Sequence, residues 1–144
     1  LSELKEDLKK NFRIEKISSS EEVEDFLSKA VPPEKRFAIY EKGGFTGLRV
    51  KDNDSLDVSV LHDLVIEPLR KKVEAQSRTL SIDFTKDIKH AVKEVDEGRF
   101  SLSVILNPTK VTEVRDMALS GKRMPQKSTY FYPKVLTGLV INVF

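Results

Sequence analysis

LSVILNPTKVTEVRDMALSG, residues 102–121, contains a change of period that decides the fold. Leu102, Val104 and Leu106 alternate with polar or opposite-facing positions, Ile105 among them, as a strand does. Asn107-Pro108-Thr109 then reads as a helix start, with Asn as N-cap and Pro at the first helical position, where its missing donor costs nothing. Val111, Val114 and Ala118 recur at helical spacing, and Gly121 stops the run. A strand that passes through a short turn into a helix is half of a β-α-β unit. Such units predict parallel neighbours joined by right-handed crossovers.

The same alternation extends outward. Upstream, Leu80, Ile82 and Phe84 read as a strand, and Ile88, Ala91, Val92 and Val95 as a helical stripe closed by Gly98. Downstream, Thr129–Tyr132 and Leu139–Phe144 read as strands, so the C-terminal half is expected to run βαβαβ. In the N-terminal half, Leu1, Leu4, Leu8 and Phe12 mark a first helix, followed by a short strand from Phe12 to Ile17. Ser18/Glu21 or Ser19/Glu22 is spaced as a capping box for a second helix with Val23, Phe26, Leu27 and Ala30 inward, stopped at Pro32-Pro33. Arg36–Glu41 and Phe45–Lys51 form a hairpin through Gly43-Gly44, because glycine accepts positive φ. After a turn at Asp52–Ser55, Asp57 is expected to cap a helix with Val58, Leu61, Leu64, Val65 and Leu69 inward. Pro68 ends or kinks that helix, and Arg70–Arg78 is a charged connector. The fold class is therefore α/β (α+β), a mixed β-sheet with helices packed on it, in one domain over residues 1–144.

Composition bounds the function. The 144 residues are 39% hydrophobic and 33% charged, with 25 basic against 23 acidic side chains and a net charge of +2. That balance gives no overall attraction to nucleic acid or acidic membranes. Residues 110–134 carry six Lys/Arg against two Asp/Glu, so the positive charge is concentrated near the C-terminal end. No cysteine is present, which excludes disulfides, thiol nucleophiles and Cys-based zinc sites and is consistent with a cytoplasmic location. No apolar run approaches the roughly 20 residues of a membrane span. Few Gln, no Trp and many Lys and Glu give a thermophile-like composition. The chain opens at Leu1 without Met and stops at Phe144 inside an apolar run, so a longer natural polypeptide is expected.

The residues best suited to a ligand lie in GKRMPQKSTYFYPK, residues 121–134. Lys127, Ser128 and Thr129 offer a point charge and two hydroxyl donors within three positions, and Lys134 is placed to return to the same face. Tyr130 and Tyr132 share one face of their strand and could stack a base or reach a partner with their hydroxyls. The helix start after Asn107 provides free backbone N–H groups for a phosphate, with Thr109 as an added donor. Residues 121–128 nearly spell a Walker A loop, but Gln126 stands at the second glycine and the run leaves a helix instead of entering one. Neither His62 nor His90 has a catalytic companion in the sequence, and the acidic run from Glu21 to Asp25 reads as a solvated helix face. These residues point to phosphate or nucleotide binding, with no catalytic residue and no metal ligand set, and with a nucleotide as the candidate cofactor. The rival reading is a non-catalytic interaction or dimerisation domain.

Met124-Pro125-x-Lys127-Ser128-Thr129-Tyr130-Phe131-x-Pro133-Lys134, then Gly138–Asn142, resembles the C-terminal signature of a bacterial and archaeal family known as domain of unknown function 1015. Leu56-Asp57-Val58 with Leu61, and Asn107-Pro108-Thr109, also resemble that family's pattern. The resemblance covers most of the chain. It implies a longer protein whose other half carries an Asp-Gly-His-His-Arg motif and looks like the ParB and sulfiredoxin-like fold, which includes a free-serine kinase. No such motif occurs in these 144 residues. The resemblance therefore implies a C-terminal fragment with the missing N-terminal half as its partner; under the interaction-domain reading the segment docks on that half or on a second copy of the chain. Its kinase-like aspect is an analogy between folds, and one fold hosts many functions.

Overall fold

The computed structural model describes residues 2–51, 55–124 and 129, with the side chains of residues 2–5 set aside. The elements are α1 (Ser2–Asn11), β1 (Arg13–Ile17), α2 (Ser20–Ser28), β2 (Glu34–Glu41), β3 (Gly44–Lys51), α3 (Asp57–Leu61), a π-helical turn (His62–Ile66), α4 (Glu67–Ala75), α5 (Ile88–Asp96), β4 (Leu102–Leu106) and α6 (Val111–Leu119). The fold is mixed α/β, as expected. Two compact units divide the chain, one ending at Asn107 and one beginning at Pro108.

In the first unit the strands lie in the order β1-β3-β2-β4, and every pairing is antiparallel. The β2–β3 hairpin turns at Lys42-Gly43, where Gly43 takes a φ of +100°. Because side chains alternate across a sheet, the register assigns each residue to a face. One face carries Ile14, Leu48, Phe37 and Leu106 in one cross-strand row and Ile39 and Val104 in another. These pack with Leu8, Phe12, Val60, Leu61 and Val65, so α1 and the α3–α4 run cover this face. Phe12 meets Phe37 edge to face at 6.1 Å between centroids. On the other face Ile17, Ala38 and Ile105 pack with Val23, Phe26 and Leu27 of α2, and Ile88 of α5 adds to them. Phe26 lies on Gly47, where no side chain intervenes.

Several expectations change in detail. The helix from Asp57 does not end at Pro68; it continues to Ala75 through the π-helical turn, in which the amide of Glu67 donates to the carbonyl of His62. A wider turn immediately before proline relieves the clash between its ring and the preceding carbonyls. Arg70–Ala75 is thus helical and not part of a connector. Asp57 makes no cap hydrogen bond; its carboxylate pairs with the buried Lys35 at 3.1 Å.

Leu80–Phe84 pairs with no strand among the described residues. At its end the chain bonds locally: Asp83 accepts from the Phe84 amide at 2.7 Å, and just beyond the segment Thr85 accepts from the Asp87 amide at 3.1 Å. Such side-chain bonds compete with ladder formation. The expected strands Thr129–Tyr132 and Leu139–Phe144 fall almost entirely outside the described residues, and β4 pairs antiparallel with β2. The βαβαβ order is therefore not confirmed.

Helix ends follow a common design. α4, α5 and α6 each close with two bonds: the second residue past the C-cap region reaches back to the third-last helical carbonyl, and the first to the second-last. At α6 these are Lys122 N–H to Met117 O and Gly121 N–H to Ala118 O, both 3.1 Å, with Gly121 at a φ of +68°. The stop expected at Gly121 is present.

Candidate functional site

Lys127, Ser128, Tyr130, Tyr132 and Lys134 lie outside the described residues, and Thr129 is exposed. The expected helix start is displaced. α6 begins at Val111 after Lys110, three residues beyond Asn107. Asn107 is half-buried, and its amide nitrogen donates to the carbonyl of Leu27 at 3.0 Å. It satisfies the end of α2, which would otherwise leave that carbonyl dependent on local bonds. Thr109 is half-buried and has an interaction of its own.

A phosphate bound at a helix start needs free amides, and the chain supplies its own acceptors at three of these positions. Glu113 accepts from the Lys110 amide at 2.7 Å at the start of α6. Asp87 accepts from the amides of Lys89 and His90 at 2.8 and 3.3 Å at the start of α5. Ser19 accepts from Glu22 N–H at 3.4 Å, while the Glu22 carboxylate accepts from Ser18 N–H at 2.9 Å, a capping exchange shifted by one residue from the reciprocal form. A carboxylate already at a helix start repels a second anion there. Cationic side chains are therefore the better anion partners.

One group of them among the described residues was not visible from sequence. Arg13, Arg49 and Arg36 stand directly opposite one another across β1, β3 and β2, in a single row on the α2 side of the sheet. Like charges in such positions repel. Two carboxylates interleave with them. Arg49 Nη1 donates to Glu15 at 2.5 Å and Nη2 pairs with Glu34 at 3.3 Å; Arg36 Nε donates to Glu34 at 2.6 Å. Arg36 also donates to the carbonyl of Phe26 at 3.0 Å and stacks on the Phe26 ring, 5.2 Å from its centroid. The Arg36 and Arg49 guanidiniums hold the Glu34 carboxyl below its ordinary value. Arg49 Nε is buried without a partner among the described residues. Alongside lies a cleft of about 380 Å³ between Glu15, Arg36 and Arg49 of the sheet and the carboxylates of Glu22 and Asp25 on α2, with Lys29 at its rim. No sequence signal marks this row, because positions 13, 36 and 49 meet only through strand register.

His62 and His90 are exposed; His62 lies 3.5 Å from both Asp63 and Glu67, and His90 lies 3.6 Å from the half-buried Glu94. Among the described residues no group of His, Asp and Glu is arranged to hold a metal ion, and no helix is long and apolar enough to cross a membrane. No family model, curated protein or solved structure matches the chain.

Proposed function

We propose that this chain binds a phosphate-bearing ligand, with a nucleotide as the first class to test, as the C-terminal part of a longer protein of the family that its Met124–Lys134 signature resembles. The observation that carries this reading is the sequence of Lys127, Ser128 and Thr129, set between Pro125 and Pro133. Lys127 would neutralise phosphate charge, Ser128 and Thr129 would donate hydrogen bonds, and Tyr130 or Tyr132 would contact a base. The end of α6 at Gly121 supports the separation from a Walker A loop, since the run follows a helix C-terminus, where a phosphate gains nothing from the dipole. The experiment is a thermal-shift screen of the 144-residue protein with ATP, ADP, GTP and inorganic phosphate. At 100 times its dissociation constant a ligand adds about 2.7 kcal/mol to stability. We expect a nucleotide-dependent rise in Tm that Lys127→Ala removes. A flat screen overturns this reading.

One observation favours the second reading, a non-catalytic interaction domain. In the segment before α5, which pairs with no strand among the described residues, Ile82 is 40% and Phe84 61% exposed. Large apolar side chains on an extended segment suit contact with another protein surface. Under this reading Phe84→Ser lowers the apparent mass in sedimentation and leaves nucleotide response absent.

A further inference from the structure

We infer that the cross-strand row Arg13–Arg49–Arg36 forms a second phosphate-binding site, built on the sheet of the first unit. It deepens the phosphate-binding reading but stands on different residues. The row is incomplete in charge. Three guanidiniums are matched by two carboxylates, Glu15 and Glu34, and both carboxylates lie on Arg49 or between Arg49 and Arg36. Arg13, at the β1 end, is exposed and has no ion pair among the described residues. Arg49 retains a donor without an acceptor.

A phosphate at this end of the row would receive the free fork of Arg13 and, on displacing Glu15, the Nη1 donor of Arg49, an arrangement suited to the planar, multi-donor guanidinium. Glu15, accepting at 2.5 Å from Arg49, occupies the position such an anion would share or displace. The favoured ligand is a terminal phosphate, whose several oxygens can accept from Arg13 and Arg49 together. The cleft of about 380 Å³ beside Glu15 and Arg49 leaves room for the rest of a small phosphomonoester, with Lys16 and Lys29 as further cations against the carboxylates of Glu22 and Asp25 on its wall.

The test uses the whole 144-residue chain, titrated with inorganic phosphate while backbone amide shifts and Tm are followed, with chloride at matched ionic strength. We expect shifts at Arg13, Glu15 and Arg49 with phosphate only, and about a tenfold loss of phosphate affinity in Arg13→Gln. Arg13 is exposed, so this variant is expected to retain the parent Tm without ligand. Glu15→Gln, which removes the competing carboxylate, is expected to raise the affinity. Equal responses to phosphate and chloride, or an unchanged affinity in Arg13→Gln, overturn the inference. Lys127→Ala separates the two sites: a phosphate response lost there but kept in Arg13→Gln retains the 127–129 reading and rejects this one. The opposite result does the reverse.

Discussion

Ser77 adopts a φ of 56° where α5 and α6 use Gly98 and Gly121, at 76° and 68°, for the same closing turn. A side chain in this left-handed region costs roughly 1–2 kcal/mol, from the Cβ contact with the following carbonyl. Glycine removes that contact and loses part of the gain through its freer unfolded state. Ser77→Gly is thus expected to stabilise the protein by about 0.5–1 kcal/mol, read from urea unfolding. Gly47 gives the opposite case. A Cβ there would lie 2.8 Å from Phe26 Cζ. The ring has little freedom to retreat, since Arg36 stacks on it and also bonds the Phe26 carbonyl. Gly47→Ala should destabilise by about 1–3 kcal/mol, as overpacked cores do. Equal stability of Gly47→Ala and the parent in the same urea series would mean that the ring rearranges freely.

Between elements, the Lys35–Asp57 pair joins the start of β2 to the first turn of α3, with the two side chains only 11% and 16% exposed. The Asp57 charge also sits at the favourable end of the helix dipole. Removing one member leaves the other desolvated, so Asp57→Ala should cost about 3–5 kcal/mol. The double variant Lys35→Met/Asp57→Ala should recover much of that loss, because no unpaired charge remains. A double variant as unstable as Asp57→Ala would indicate that the pair acts through packing. Elements of this kind were partly legible in the sequence. Helical stripes such as Val23–Phe26–Leu27 and the hairpin at Gly43 depend on neighbours within a few residues, and they form as read. Leu80–Phe84 has the right alternation, but a strand also needs a partner edge, which alternation does not specify. Asn107 has the right chemistry for a cap and uses it on α2, eighty positions away. The arginine row was illegible for the same reason: register is a tertiary property. Of the eight ligand residues read from sequence, only Asn107, Thr109 and Thr129 fall within the described residues, so the chemistry at Lys127 rests on its sequence.

At the scale of the molecule, the ionisation shifts among the described residues stabilise the charged forms of acids and bases and the neutral form of one tyrosine. Asp7 is lowered to about 2 by hydrogen bonds from Lys10 and then Lys72, the second of which ties α1 to α4. Glu34 is lowered chiefly by Arg36, and Glu94 by Arg99. A carboxyl with a depressed folded value contributes stability above its unfolded value and loses it as pH falls through the folded one. These groups therefore contribute fully above the unfolded carboxylate range of about 4–4.5 and lose their contribution below it. Asp7 continues to titrate down to about 2. On the alkaline side Tyr40 is raised, first by its 2.7 Å hydrogen bond to Asp96 and then by burial. A raised folded value gives stability that is complete below the unfolded value of about 10 and declines as pH rises through the folded one. The expected profile of Tm against pH falls on the acid side from about pH 4.5 toward 2 and on the alkaline side above about 10. Tyr40→Phe should flatten the alkaline fall, and Asp7→Asn should remove the part of the acid fall nearest pH 2. Thermal melts from pH 2 to 11 on the three proteins check both ends. An alkaline fall of the same size in Tyr40→Phe would assign it to other groups and leave the Tyr40–Asp96 bond without a measurable part in holding α5 to the sheet.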